Sequence, residues 1–224
     1  MRRASVSRLG EMAHGIGAYA AYLAVRRLVW TDAGRQRASR NAQRIAECEQ
    51  RCGVGFEAPL QRVALTVPRL VDMLNAGYAA GNVALSVGWL LRMYHRQDPG
   101  FRRERAAALV AFGGALPFFA AFPTAPPRTL DGIVDTLAER GLSLDHPLLV
   151  RFYNPIAAMP SHHVAFAVVT GFGLARRAPT PFRRAAWRSY PAVVALVVIA
   201  TGNHFVADVA GGAALGTIAR RVTR

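Results

Sequence analysis

Two histidines and one aspartate carry most of the chemistry this chain can do. His163 closes the run Asn154-Pro-Ile-Ala-Ala-Met-Pro-Ser-His-His, and His204 stands in Ala200-Thr-Gly-Asn-His-Phe-Val-Ala-Asp208. Both lie near the starts of apolar stretches, where ionisable groups are costly and by default mark a working site. Asp208 follows His204 by four residues, one helical turn on and on the same face. A carboxylate so placed fixes the imidazole tautomer and raises its basicity, leaving the other ring nitrogen free as a nucleophile. A second histidine can protonate the leaving oxygen. Pro160 and Ser161 suit the start of a helix, whose free N–H groups attract phosphate. Arg128 offers a planar, permanently charged fork for phosphate oxygens. Together these residues make a phosphoryl-transfer site that needs neither metal nor cofactor. The competing chemistry is a His/His/Asp metal site, which the ligand types allow but which leaves Arg128 and the helix start without a role.

The elements that must position these groups are read from hydropathy. The chain has 224 residues, 52% of them hydrophobic, with a formal net charge of +15. So basic a soluble protein would suggest a nucleic-acid binder. Here the basic residues fall in blocks between apolar runs and no DNA-binding motif appears, so nucleic acid is excluded as a partner. Every basic residue is arginine, as the codon usage of a GC-rich bacterium would give. Against the ~20 apolar residues a bilayer crossing requires, four stretches qualify: Val71–Leu91, Ala106–Phe122, Ile156–Ala175 and Trp187–Ala219. The last is too long for one span and breaks at Thr201-Gly202-Asn203. Met12–Trp30, with Arg26 and Arg27 able to snorkel near one end, is read as a further span rather than a cleavable leader. The expectation is an all-α polytopic membrane protein with a six-transmembrane-helix bundle. Residues 1–70 hold an N-terminal helix and an amphipathic segment, and residues 71–224 form the catalytic core.

Arginine asymmetry sets the orientation. Arg92–Arg105 holds five Arg against two acids, and Arg176–Arg188 holds five with none, so both belong in the cytoplasm. Residues 124–153 carry three Arg against four acids, as an external loop would. Three polar motifs then reach the same outer interface: Phe122–Arg128, Asn154–His163 and Asn203–Asp208. The site is expected on the extracytoplasmic side of a bacterial cytoplasmic membrane. Thr31–Arg69 is arginine-rich yet six spans place it outside. With Ala42, Ile45 and Ala46 on one face and Arg40, Arg44 and Arg51 on others, it reads as an amphipathic helix on the membrane surface. Five spans would leave it cytoplasmic, and the sequence leaves that choice open.

These residues resemble the type 2 phosphatidic acid phosphatase superfamily, and more closely its branch containing the inositol phosphorylceramide synthases and their bacterial relatives. That branch carries P-T-A-P-P-R, A-A-M-P-S-x-H and T-G-N-H-x-x-x-D elements. They stand here in order as Pro123–Arg128, Ala157–His163 and Thr201–Asp208, and the likeness runs from about Asn75 onward. It implies a six-helix membrane fold and a phosphohistidine intermediate. His204 would be the nucleophile, Asp208 its orienting carboxylate and His163 the general acid, with Ser161 and Arg128 binding phosphate. Two basic residues of the broader superfamily are missing, since Ala121 and Val198 stand in their places. Arg151 is the candidate to fill in.

Each assignment has a plainer competitor. His204 with Asp208 could be a buried structural pair, and Arg128 an anchor at the interface. His162 could replace His163, although motif register favours His163 and leaves His162 to support the site or face the substrate. Asn154 shapes the loop before Pro155 more than it touches substrate. Cys48 and Cys52 read as ordinary thiols. The expected activity is removal or transfer of a phosphate carried by a phospholipid or polyprenyl phosphate, hydrolysis slightly ahead. The alternatives are transfer of a phospho-headgroup to an alcohol such as inositol, and a non-catalytic scaffold or lipid carrier.

Overall fold

The computed structural model describes residues 7–224, which form a bundle of α-helices. α1 (Arg8–Val29) is capped by Ser7, and α2 (Asp32–Arg51) by Thr31. α3 (Glu57–Leu65) and α4 (Pro68–Ala76) follow. A π-helical turn at Gly77–Gly81 joins α4 to α5 (Asn82–His95) without a break. α6 (Phe101–Ala121) leads into a long irregular segment containing the short α7 (Pro147–Val150). Then come α8 (His162–Arg177), α9 (Pro181–Ala200) and α10 (Val206–Val222).

α8 is the central element. It packs on α5, α6, α9 and α10, and its buried Ala165, Ala167, Gly171 and Gly173 allow the close approach that helix packing among small residues favours. α10 meets it through Gly212, where an added Cβ would lie 2.3 Å from the Ser161 carbonyl oxygen. α1 lies against α6 and runs the height of the bundle. Glu11 pairs with Arg105 at one end, and the Tyr22 hydroxyl accepts from Asn154 N (2.8 Å) toward the other.

Several sequence boundaries shift. The expected span from Ile156 begins as a helix only at His162, because Ile156–Pro160 is irregular and is bridged to Thr124 through Ala157. Thr124 N donates to Ile156 O (2.9 Å) and Ala158 N to Thr124 O (3.1 Å). Pro160 accordingly precedes the cap instead of entering the first turn. The break at Thr201–Asn203 falls as expected, with Gly202 in the left-handed region at φ +69°. Among the described residues, Phe101–Ala121 is the one helix long and apolar enough by itself to cross a bilayer. α8 and α10 are shorter, with 16 and 17 residues, and α9 opens on arginines.

α2 is amphipathic, but its apolar face meets protein. Ala38, Ala42, Ile45 and Ala46 cluster with Ala125, Leu130, Ile156 and Phe205, while Arg40, Arg44 and Arg51 are exposed. Asn41 Nδ2 donates to Pro123 O (2.8 Å), and Ala125 N to Ala38 O (3.2 Å). The segment that the sequence could assign to either side therefore lies over the same end of the bundle as the three polar motifs.

Candidate active site

Four backbone hydrogen bonds tie the three motifs into one unit. Two are the Thr124 contacts with Ile156 and Ala158; the others run from Arg128 N to Gly202 O (2.8 Å) and from Ser161 N to Asp208 O (2.9 Å). Residues distant in sequence thus face one another through groups that cannot drift apart without leaving buried amides unpaired.

His204 sits in the turn between α9 and α10, its N–H donating to Val198 O (3.1 Å). Its Nδ1 lies 3.3 Å from Asp208 Oδ2, which also accepts from Phe205 N (3.0 Å). Asp208 is fully buried and occupies the third position of α10, where a carboxylate can reach back to the first free N–H groups. The next two amides are also taken by carboxylates: Val206 N donates to Glu57 Oε1 (2.9 Å) and Ala207 N to Glu49 Oε1 (2.6 Å). The amides at the start of α10 are therefore taken by the protein's own carboxyl groups. Burial, together with the neighbouring Glu57, pushes the Glu49 carboxyl up to about 8.

Ser161 caps α8, with Val164 N donating to its Oγ (3.4 Å), and is completely buried. The first-turn amides of His162 and His163 have no acceptor within the helix, so this helix start can receive an anion. Consecutive residues on a helix point about 100° apart, and the two histidines diverge accordingly. The His163 ring stacks on Tyr78 (centroids 4.5 Å apart) and lies 5.8 Å from the His204 ring. His162 turns toward α6, packing on Phe112 and Phe119, with Nε2 donating to Phe112 O (3.1 Å). His163 faces His204, and His162 is held in an aromatic nest while still lining the cavity.

Arg128 is 7% exposed and rises from the short turn Pro127–Thr129. Its Nη1 donates to Asn203 Oδ1 (2.6 Å), and Nε lies 3.2 Å from Asp135 Oδ2. Its Nη2 is buried without a partner. Asp135 is held by a loop whose backbone is gripped from two helices. Gln61 pairs with both backbone groups of Val134 (2.9 and 2.7 Å), and Asn75 with Thr136 (2.9 and 2.7 Å). Asn154 shapes its own loop, with Oδ1 accepting from Ile156 N (3.3 Å), and its buried Nδ2 is likewise unpartnered. Both orphaned nitrogens are donors, the kind of group an anionic oxygen would satisfy. Arg151 is exposed and does not line the cavity. Arg128 is a buried guanidinium that reaches the His204 turn through Asn203, whereas the Ala121 carbonyl accepts from Arg37 Nη2 (2.5 Å).

A cavity of about 330 Å³ opens beside the two histidines, lined by Tyr19, Tyr22, Tyr78, Phe112, Val83 and Val87 among others. Sequence reasoning missed three supports. Asn82 Nδ2 donates to His163 O (2.8 Å) while its Oδ1 accepts from Tyr190 (2.8 Å), locking the start of α8. Tyr78 backs the His163 ring, and Asn203 orients Arg128. The signal for Asn82 was present, as a polar residue within the apolar stretch Val71–Leu91. Among the described residues no three His, Cys, Asp or Glu side chains are grouped to hold a metal ion. Cys48 and Cys52 are free and exposed.

Residues 43–222 match the PAP2 superfamily, and the chain belongs to that superfamily. Membership brings phosphatase-type activity on phosphorylated, lipid-type substrates and association with membranes. No curated protein and no solved structure matches the chain.

Proposed function

We propose that the protein is an integral-membrane lipid phosphatase that works through a phosphohistidine on His204. The observation that carries this reading is the convergence of His163 and His204, 5.8 Å apart, beside an apolar cavity and a buried arginine with an unpaired nitrogen. Asp208 holds Nδ1 of His204, so Nε2 attacks phosphorus. The lipid alkoxide leaves and takes a proton from His163. Water then cleaves the N–P bond, His163 receiving the water's proton and inorganic phosphate departing. Arg128 and the first turn of α8 bind the equatorial oxygens, whose charge grows toward the transition state.

In this account α1, α4–α5, α6, α8, α9 and α10 are the six crossings, and the motif end faces away from the cytoplasm. The substrate is a phospholipid or polyprenyl phosphate of a bacterial cytoplasmic membrane. Lateral access for its tail runs between α1 and α5, whose Tyr19, Val83 and Val87 line the cavity yet remain exposed. The apolar lining also favours a second reading. Where water is excluded, an alcohol such as inositol can take the phosphoryl group, as the likeness to the inositol phosphorylceramide synthase branch suggests.

The test uses purified protein in nanodiscs with phosphatidate, a polyprenyl phosphate or phosphatidylinositol, with and without inositol. Phosphate release by wild type that vanishes in His204→Ala supports hydrolysis. A new phospho-alcohol with little free phosphate supports transfer. Equal, negligible turnover of both proteins across the panel contradicts the enzyme reading and favours a scaffold or lipid carrier.

A further inference from the structure

The far end of the bundle holds a second cavity, of about 660 Å³, that the catalytic reading does not use. Its walls are Arg103, Arg176, Arg184, Arg188, Arg220 and Arg224, with Phe172 and Ala175 beside them. Arg176 follows His163 by 13 residues along α8 and Arg220 follows Asp208 by 12 along α10. At 1.5 Å per residue, both arginines stand roughly 18–20 Å from the catalytic groups. Four helices, with Arg224 just beyond α10, bring these arginines to one place.

Blocks of arginine at helix ends have an ordinary explanation in membrane topology, but that explanation asks only that the charges be on one side, not that they enclose a cavity. Glu104, 2% exposed, is the carboxylate at this site, and it is already shared. Its oxygens lie 3.2 Å from Arg177, 3.1 Å from Arg220 and 3.9 Å from Arg176. Among the described residues, Arg103, Arg184, Arg188 and Arg224 form no ion pair, and Arg220 Nη2 is buried without any partner. Like charges held together repel one another, and guanidinium groups are well suited to phosphate oxygens. Phe172, 40% exposed, adds an apolar flank suited to the glycerol or acyl part of an amphiphile.

We propose that this cavity is a second anion site, which binds a ligand bearing two or more phosphate charges. A multiply charged lipid headgroup and a free polyphosphate share that chemistry. The test uses the full chain in phosphatidylcholine nanodiscs. One arm titrates inorganic pyrophosphate calorimetrically. The other adds diphosphatidylglycerol to the discs and counts retained lipid by native mass spectrometry. Arg184→Gln/Arg188→Gln removes two exposed cavity arginines without touching the Glu104 pairs, and Arg128→Gln reports on the catalytic end.

The expected result is wild-type binding that weakens about tenfold or more in the double variant and persists in Arg128→Gln. Loss in both arms supports the shared phosphate chemistry. Loss of lipid retention alone makes the ligand a headgroup, and loss of pyrophosphate binding alone makes it soluble. Absence of wild-type binding in both arms overturns the proposal. So does binding that survives the double variant and disappears in Arg128→Gln.

Discussion

Replacing Gly212 with alanine probes the contact that sets His163 and His204 in register. The new Cβ would lie 2.3 Å from Ser161 O and 3.2 Å from both Ser161 C and Cβ. Carbon and oxygen need more than 3 Å, so the carbonyl must retreat by about 1 Å. It cannot swing freely, because it also accepts from Ala165 N (3.1 Å) in the first full turn of α8. Overpacking of this kind costs about 1–3 kcal/mol, against a gain of roughly 0.5–1 kcal/mol from removing a helical glycine. Gly88 supplies the control, since it is exposed in α5 and a Cβ there meets nothing within 4 Å. Tryptophan fluorescence during thermal unfolding should place Gly212→Ala below wild type, at roughly 2–4 °C per kcal/mol, and Gly88→Ala at or above it. Turnover should fall further than stability, because a shift of about 1 Å between α8 and α10 separates the two histidines and can cost ~100-fold. A Gly212→Ala protein as stable and active as Gly88→Ala would refute the close packing and the account of how the site is held.

Other outcomes follow from the same geometry. Asp208→Asn keeps the acceptor for Phe205 N but loses the charged partner of His204, so turnover should drop about 10–100-fold with the fold intact, as measured by phosphate release and circular dichroism. Glu49 carries a folded-state pKa raised to about 8 from 4.5. Its contribution is therefore full below about pH 4.5 and is lost progressively as pH rises toward 8. Wild-type melting temperature should decline across that window more than that of Glu49→Gln; parallel curves would remove Glu49 as the cause. Arg151→Ala should leave kcat and KM unchanged, whereas Arg128→Gln should lose affinity and rate together, and the reverse pattern would exchange their roles.

What could be read beforehand depended on periodicity and on local spacing. The apolar stretches announced α1, α4–α5, α6, α8, α9 and α10 to within one or two turns, because their character repeats along the chain. His204 and Asp208 were legible because four residues make one turn. The parts that escaped are held by single tertiary contacts that leave no periodic trace. The irregular Ile156–Pro160 is apolar enough to pass for helix until the bridge from Ala157 to Thr124 is seen. α2 is amphipathic whether its apolar face meets lipid or the loop at Ala125, and only the contact partner differs. Gln61, Asn75, Asn82 and Glu57 each grip a backbone group far away in sequence, and nothing in their neighbours foretells which one. His162 and His163 differ by one helical step, so their separate directions appeared only when Phe112 and Tyr78 were in place.

The central claim is a phosphoryl group carried on His204, and trapping it is the most direct measurement. Wild type in nanodiscs would be mixed with ³²P-labelled phosphatidate or polyprenyl phosphate, quenched in alkali within milliseconds, digested and mapped. The account predicts acid-labile, alkali-stable label on the peptide containing His204, absent in His204→Ala and both slower to form and slower to decay in His163→Ala, since His163 serves each half-reaction. Steady turnover with no label on that peptide at any quench time would contradict it.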